Sequence, residues 1–187
     1  MKIKNSFYLR VGLLTVILLL FTLMHSSKAT AGGPEVWGVN ASSDGLSRFD
    51  ASTGQQLEFI GPLDPDPAIY TTPIAMTAVP GSGELLVWNN SNPSGILLSV
   101  DPATGLATPV DASTPVQNTI MGGIAFGPDG KLYGTGHVGD VSNPVFHQIN
   151  PETGVATEIA QLPFRIKGLA FNSQGDLYGV ELIDKIT

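Results

Sequence analysis

GGIAFGPDGKLYGTGH at positions 122–137 returns as KGLAFNSQGDLYGVEL at 167–182, which sets Phe126 and Phe171 about 45 residues apart. A second element recurs out of phase with the first, as SRFDASTGQQLEF (47–59), LSVDPATGLATPV (98–110) and HQINPETGVATEI (147–159). Its turns begin at Asp50, Asp101 and Asn150, so the steps are about 51 and 49 residues. A period of about 40–50 residues, built from short apolar runs and Gly-rich turns, is the sequence signature of four-stranded propeller blades. The fold class read from the sequence is therefore all-β, with β-propeller-type repeats of four-stranded antiparallel blades.

Each unit resolves into four short strand candidates separated by turn signals. Strand A is expected at 74–79, 121–126 and 168–171, and strand B at 35–39, 84–88, 131–135 and 176–180. Strand C follows at 46–49, 96–100 and 145–149, and strand D at 56–60, 106–110 and 155–160. These runs are too short for helices, and no helical periodicity accompanies them.

Turn chemistry explains the pairing. Pro128-Asp129-Gly130, Ser173-Gln174-Gly175 and Gly81-Ser82-Gly83 place Gly where a tight A–B hairpin needs positive φ. The C–D turns all begin with Asp or Asn and end in Thr-Gly: the first residue folds its side chain onto the backbone two residues on, and Gly closes the turn. Asp50 and Asp101 are thus expected to be structural, since one carboxylate per turn falls well short of the six to eight oxygens that calcium takes.

Counting units gives B-C-D, two full blades, then A-B, about three and a half blades in all. Closed propellers have about 4–8, so the expectation is an open arc or a fragment, with self-association through the open blade ends as one way to cover the bare faces.

Residues 1–31 read as a signal peptide and 32–187 as the incomplete repeat domain. Lys2, Lys4 and Arg10 form a basic start, 11–24 is mostly apolar, and Ala29-Thr30-Ala31 supplies a small-x-small cleavage pattern before Gly32. The apolar run is shorter than the ~20 residues of a spanning helix; an uncleaved anchor is the alternative. The expected location is secreted or periplasmic, with no stable membrane insertion after signal removal. All 16 acidic residues follow residue 31, whereas only five of the nine basic ones do, leaving a formal charge of −11. Such a surface repels nucleic acid, which excludes that class of partner. The chain has no cysteine, so no disulfide supports it.

The quoted blade segments GIAFGPDGKLYGTGH, GLAFNSQGDLYGVEL, LSVDPATGLATPV and INPETGVATEI resemble those of bacterial secreted β-propellers in the superfamily that includes NHL-repeat, YVTN-repeat and SMP-30/gluconolactonase-like proteins. The resemblance covers nearly all of 35–187, through motifs that build blades and carry no chemistry. For the SMP-30-like members it implies a divalent metal, such as Ca2+, held by acidic and Asn side chains at the channel mouth. Those positions have no one-to-one match here, so no catalytic residue and no resident cofactor follow.

Because the strands of a meander alternate in direction, A–B and C–D turns share one face, and the B–C and D–A connections share the other. The first face carries near-identical tight turns. On the second, the connections at 40–45, 89–94 and 136–144 (B–C) and at 61–73, 111–119 and 161–167 (D–A) differ from unit to unit, and divergent loops on a repetitive scaffold are where binding resides. The polar candidates there are Asp64, Asp66, Tyr70, Asn89, Asn90, His137, Asp140 and Arg165, with Asn92, Asn118 and Lys167 beside them. Asp64 and Asp66 sit on a stiff Pro-interleaved segment that offers half of a cation site or a solvated loop. His137 and Asp140 could pair as a base and its orienting acid, or form an ordinary exposed loop. His147 falls inside strand C and reads as a blade side chain. Asn40 and Asn89 fit the N-glycosylation acceptor pattern. No Gly-x-Ser-x-Gly, His-Glu-x-x-His or phosphate-cradling loop appears. Two functions follow: an exported non-catalytic propeller binding a protein, glycan or small ligand through the variable face, or an SMP-30-like metal-dependent hydrolase or lactonase.

Overall fold

The computed structural model describes residues 34–40, 44–64, 70–90, 95–113, 117–139 and 142–181. The chain divides into two units, Met1–Pro34 and Glu35–Thr187, and every strand described below lies in the second. The signal segment 1–31 falls outside the described residues.

Thirteen strands, and no helix among the described residues, follow in chain order: β1 (Glu35–Asn40), β2 (Gly45–Asp50), β3 (Gln56–Pro62), β4 (Pro73–Ala78), β5 (Leu85–Asn89), β6 (Ile96–Val100), β7 (Ala107–Pro109), β8 (Thr119–Phe126), β9 (Leu132–Val138), β10 (Pro144–Ile149), β11 (Ala156–Gln161), β12 (Ile166–Phe171) and β13 (Leu177–Glu181). They form four antiparallel meanders: β1-β2-β3, β4-β5-β6-β7, β8-β9-β10-β11 and β12-β13. The B-C-D, A-B-C-D, A-B-C-D, A-B reading of the sequence is the observed order. Blade packs on blade through the A strands, β4 on β8 and β8 on β12, with β1 against β4 at the start; the principal contacts among the described residues never join the first sheet to the last.

Two apolar layers between the blades hold this stack together. Leu46 and Leu63 of the first blade meet Leu85, Val87, Leu98 and Val100 of the second. On the other side of the second blade, Ala75, Leu86, Trp88 and Leu97 meet Met121, Ile124, Leu132 and Ile149 of the third. Alternate side chains of a strand point to opposite faces, and β5 has a blade on each face. That is why Leu85-Leu86-Val87-Trp88 is an unbroken apolar run, buried at every position. β13 lacks such cover, and Leu177, Tyr178 and Val180 are exposed.

The C–D turns are built as their side chains require. Asp50 Oδ1 accepts from the amides of Ser52 at 2.7 Å and Thr53 at 3.0 Å. Asp101 Oδ1 accepts from Ala103 N at 2.9 Å while Thr104 Oγ1 donates to its Oδ2 at 2.7 Å, and Asn150 Oδ1 accepts from Glu152 N at 2.8 Å. Because these bonds favour the ionised form, the Ser52 hydroxyl and amide hold the Asp50 carboxyl below the usual range, and the Ala103 amide followed by Thr104 does so for Asp101. The structural reading of these two acids agrees with this geometry.

These turns also lock the blades rim to rim. Ala107 N donates to Leu63 O at 2.8 Å, and the backbone of Gly61 runs so close to Gly105 that a Cβ there would lie 2.7 Å from the Gly61 carbonyl oxygen. One blade further, Gln117 bridges to the next C–D turn through Nε2 to Gly154 O and through Oε1 from Ala156 N, both at 2.8 Å. The outer strand of each blade thus ends against the start of the next outer strand. β7 is shorter than the expected 106–110; Pro109 has no N–H to extend a ladder, which an edge strand tolerates.

Candidate binding face at the B–C and D–A ends

A register slip repeats in all three A strands, just inside this face. It falls between Pro73 and Ala75 in β4, between Met121 and Gly123 in β8 and between Ile166 and Gly168 in β12. The extra residues are Ile74, Gly122 and Lys167. Bulges of this kind free main-chain groups from the ladder and re-aim side chains.

Between the second and third blades the freed groups are taken up by an asparagine. Asn90 Nδ2 donates to Met121 O at 2.9 Å, and its Oδ1 accepts from Met121 N at 3.1 Å. The neighbouring Asn89 is fully buried, and its Oδ1 accepts from Thr72 N at 3.0 Å. Both asparagines therefore serve the scaffold at this end. Burial of Asn89 also removes it from the accessible acceptors for a glycan.

Between the third blade and β12–β13 the same place is occupied differently. Aligning Lys131–His137 with Glu84–Asn90 sets His137 at the position of Asn90, and aligning the A strands sets Ile166 at that of Met121. Here Thr135 Oγ1 donates to Ile166 O at 3.3 Å. A small cavity of about 10 Å³ opens at the junction, lined by Ile120, Met121, Gly122, Gly136, His137, Arg165, Ile166 and Lys167. Its described lining holds an imidazole, a guanidinium and an ammonium, and no carboxylate. His137 was expected in a loop and instead lies in β9, because β8 begins at Thr119 and pairs Ile120 with His137; its side chain is buried.

A second group forms at the first D–A connection. Tyr70 packs against the layer between the first two blades, and burial, with a smaller push from the Asp64 charge, raises its hydroxyl above the ordinary value. Asp64 and Tyr70 are thus electrostatic neighbours. Asp66, Asp140 and Asn92 lie outside the described residues, so the Asp64–Asp66 and His137–Asp140 pairings are not visible. Asn118 contributes its carbonyl, which accepts from Gly139 N at 3.2 Å.

His147 lies in β10, where the sequence placed it as a blade side chain. It is 1% exposed, and neither ring nitrogen makes a well-formed hydrogen bond. Burial lowers its pKa, against smaller opposing pulls from Glu158, its cross-strand neighbour, and from the Val145 backbone.

Of the expected site residues, then, the fold brings His137 and Arg165 together with Lys167, and Asp64 near Tyr70, while Asn89 and Asn90 are absorbed into the framework. Gln117 was not singled out from the sequence. An isolated Gln carries no signal until the blades are stacked.

The opposite, tight-turn face has wider grooves. One of about 520 Å³ is lined by Glu84, Ser99, Asp101 and Thr104 among others. Another of about 320 Å³ is lined by Pro128, Asp129, Tyr133, Phe146, Phe171, Gly175 and Leu177. In the second, Tyr133 stacks on Phe146 with ring centroids 5.3 Å apart and leans on Phe171 at 5.6 Å. Its hydroxyl donates to Asp129 Oδ2 at 2.8 Å, which lowers the Asp129 pKa and raises that of Tyr133. Tyr133, of the repeated LYG motif, thus packs against Phe146 of its own blade and Phe171 of the next sheet. Among the described residues, no group of three or more His, Asp or Glu side chains gathers as a metal site would need.

No protein-family profile and no curated protein matches the chain. Solved structures do. A chain of a nidogen/laminin complex aligns with a TM-score of 0.55 at 15% identity, over 79% of this chain and 52% of that one. The extracellular domain of a protein assigned as a hybrid two-component system from B. thetaiotaomicron gives 0.47 at 15%, over 84% of this chain and 20% of its own. A Bacteroides uniformis protein assigned as a 6-phosphogluconolactonase gives 0.41 at 17%, over 79% and 46%. This chain therefore spans about half or less of each of these three structures. The first similarity, to a β-propeller, agrees with the blade order: the fold is all-β and propeller-like.

Proposed function

We propose that this chain is an exported, non-catalytic β-propeller repeat protein that binds a protein, glycan or small ligand through its B–C and D–A face. The observation that carries the reading is the contrast between the two ends of the blades. One end repeats the same hydrogen-bonded turn at Asp50, Asp101 and Asn150. The other breaks the repeat, with Asn90 clasping Met121 at one junction and His137, Arg165 and Lys167 converging at the next. A scaffold that keeps one face constant and varies the other presents recognition on the varied one.

Screening the purified chain against glycan and protein arrays, then repeating each hit with Asp64→Asn, His137→Gln and Arg165→Gln, tests the reading. Loss of a hit with these changes supports it. Loss instead on exchanging the 101–105 turn for the 150–154 turn in a folded protein reverses the face. A hit that requires Ca2+, together with lactone hydrolysis, would favour the SMP-30-like alternative. The export half of the proposal rests on the leader pattern at 1–31; N-terminal sequencing of exported material should begin at Gly32, and retained Met1 would contradict it.

A further inference from the structure

We propose that this chain binds a second copy of itself head to tail, the side of β12–β13 turned away from the third blade seating on the side of β1–β2–β3 turned away from the second. The inference goes beyond the ligand-binding role proposed for the varied ends, because it uses the flat sides of the blades. Three observations carry it.

First, the repeat shows what the tail side is built to do. At the junction before it, Gly123, Tyr133 and Thr135 of the third blade receive β12. A Cβ on Gly123 would lie 2.9 Å from the Leu169 amide nitrogen, Tyr133 leans on Phe171, and Thr135 Oγ1 donates to Ile166 O. One repeat on, these three positions are Gly168, Tyr178 and Val180. Gly168 and Val180 are register partners, and the nearest described atom to a Cβ built on Gly168 belongs to Val180, at 3.8 Å. The same receiving set is thus present again, with Tyr178 and Val180 open to solvent.

Second, the head side carries the apolar set that blades use to stack. Trp37 and Val39 pack toward the second blade, so alternation turns Val36 and Gly38 to the other side. There the ring of Phe49 lies over Gly38 and that of Phe59 over Gly45, close enough to meet a Cβ on either glycine. Val36 is 51% and Phe59 48% exposed. In the second blade the positions of Val36 and Phe49 are held by Leu85 and Val100, which are buried in the layer facing the first blade. The first blade therefore shows to solvent, on its far side, what the second blade buries.

Third, the two sides differ, which fixes how copies meet. Within the chain the forward side of one blade always takes the back side of the next. A tail on a head continues that polarity, whereas tail on tail would reverse it. Unlike patches on one molecule pair as a heterologous interface, which closes into a ring or extends as a filament, and burial of apolar surface drives it.

Sedimentation velocity of the purified full chain over a concentration series tests the proposal, using a head variant, Val36→Lys/Phe59→Lys, and a tail variant, Tyr178→Lys/Val180→Lys. The parent should associate, and each variant alone should do so at least tenfold more weakly. Their equimolar mixture should form a dimer and stop there, since only one competent head and one competent tail remain. A head variant that associates like the parent, a mixture that stays monomeric, or a parent monomeric throughout overturns the proposal. Should a lysine variant misfold, the absence of native cysteine permits a milder readout. Phe59→Cys and Val180→Cys chains, mixed under oxidising conditions, should cross-link to each other at least tenfold faster than either does to Lys131→Cys. Equal rates overturn the head-to-tail contact.

Discussion

Asn90 grips both main-chain polar groups of Met121, donating from Nδ2 to the carbonyl at 2.9 Å and accepting at Oδ1 from the amide at 3.1 Å, across 31 residues of sequence. This contact fastens the second blade to the third at the bulge. Asn90→Asp keeps the acceptor but sets a second oxygen against the Met121 carbonyl, and Asn90→Ala strands both groups. Each unsatisfied group costs about 1–3 kcal/mol. Either variant should lower stability by roughly that amount in urea titration, with Asn90→Asp recovering partly at low pH, where its carboxyl can donate. Unchanged midpoints would show that water replaces the clamp.

Two glycines with the same backbone conformation should differ in what they tolerate. Gly54 has φ of 71° with nothing near its missing Cβ, whereas Gly105 has φ of 80° and lies against the Gly61 carbonyl. Gly54→Ala should cost about 1–2 kcal/mol, the strain of a left-handed L-residue. Gly105→Ala should cost clearly more, because the rim contact between the first and second blades must open as well. Equal losses in chemical denaturation would mean that the rim contact adds nothing.

Acid should loosen the layer between the second and third blades through His147. Burial holds its folded pKa below the ordinary 6.5, so the unfolded chain binds a proton more readily. Its effect on stability is therefore absent above about pH 6.5 and grows destabilising as pH falls below that value toward the folded pKa. Since neither nitrogen is well bonded, His147→Leu should be neutral or stabilising at pH 7 and should flatten the stability profile between pH 6.5 and 5. A variant that keeps the parent's slope there would assign it to other groups. The hydrogen-bonded Asp50 and Asp101 act at lower pH, contributing stability that is lost as pH falls below the ordinary carboxylate value.

The uncovered face of β13 gives a prediction about association. Tyr178 and Val180 are 60% and 68% exposed on a strand with one sheet partner among the described residues, the arrangement that promotes pairing between chains. We expect self-association of the chain that rises with concentration in light scattering and falls on Tyr178→Lys/Val180→Lys. A chain that stays monomeric at high concentration would contradict this.

Strand positions, blade order and turn chemistry were legible in the sequence because each is local. Short apolar runs and Gly-closed turns mark β5 or β10 within a dozen residues, and the Asp or Asn that begins each C–D turn bonds to groups two and three residues away. The candidate site was only partly legible. Asn90 and Met121, or Gln117 and Gly154, meet only after whole blades have stacked, so nothing in either neighbourhood announces the partner. His137 was placed in a loop because Gly136 and Gly139 flank it. The early start of β8 instead extends the ladder through it.

The central claim is that recognition belongs to the varied B–C and D–A ends. Its most direct test is amide hydrogen exchange of the chain with and without the strongest array ligand. The account predicts protection at 63–64, 70–72, 117–118 and 162–167, with the turns at 50–54, 101–105 and 150–154 unchanged. Protection of those turns, or of the Tyr133–Phe146–Phe171 groove, with the varied ends unaffected, would contradict it.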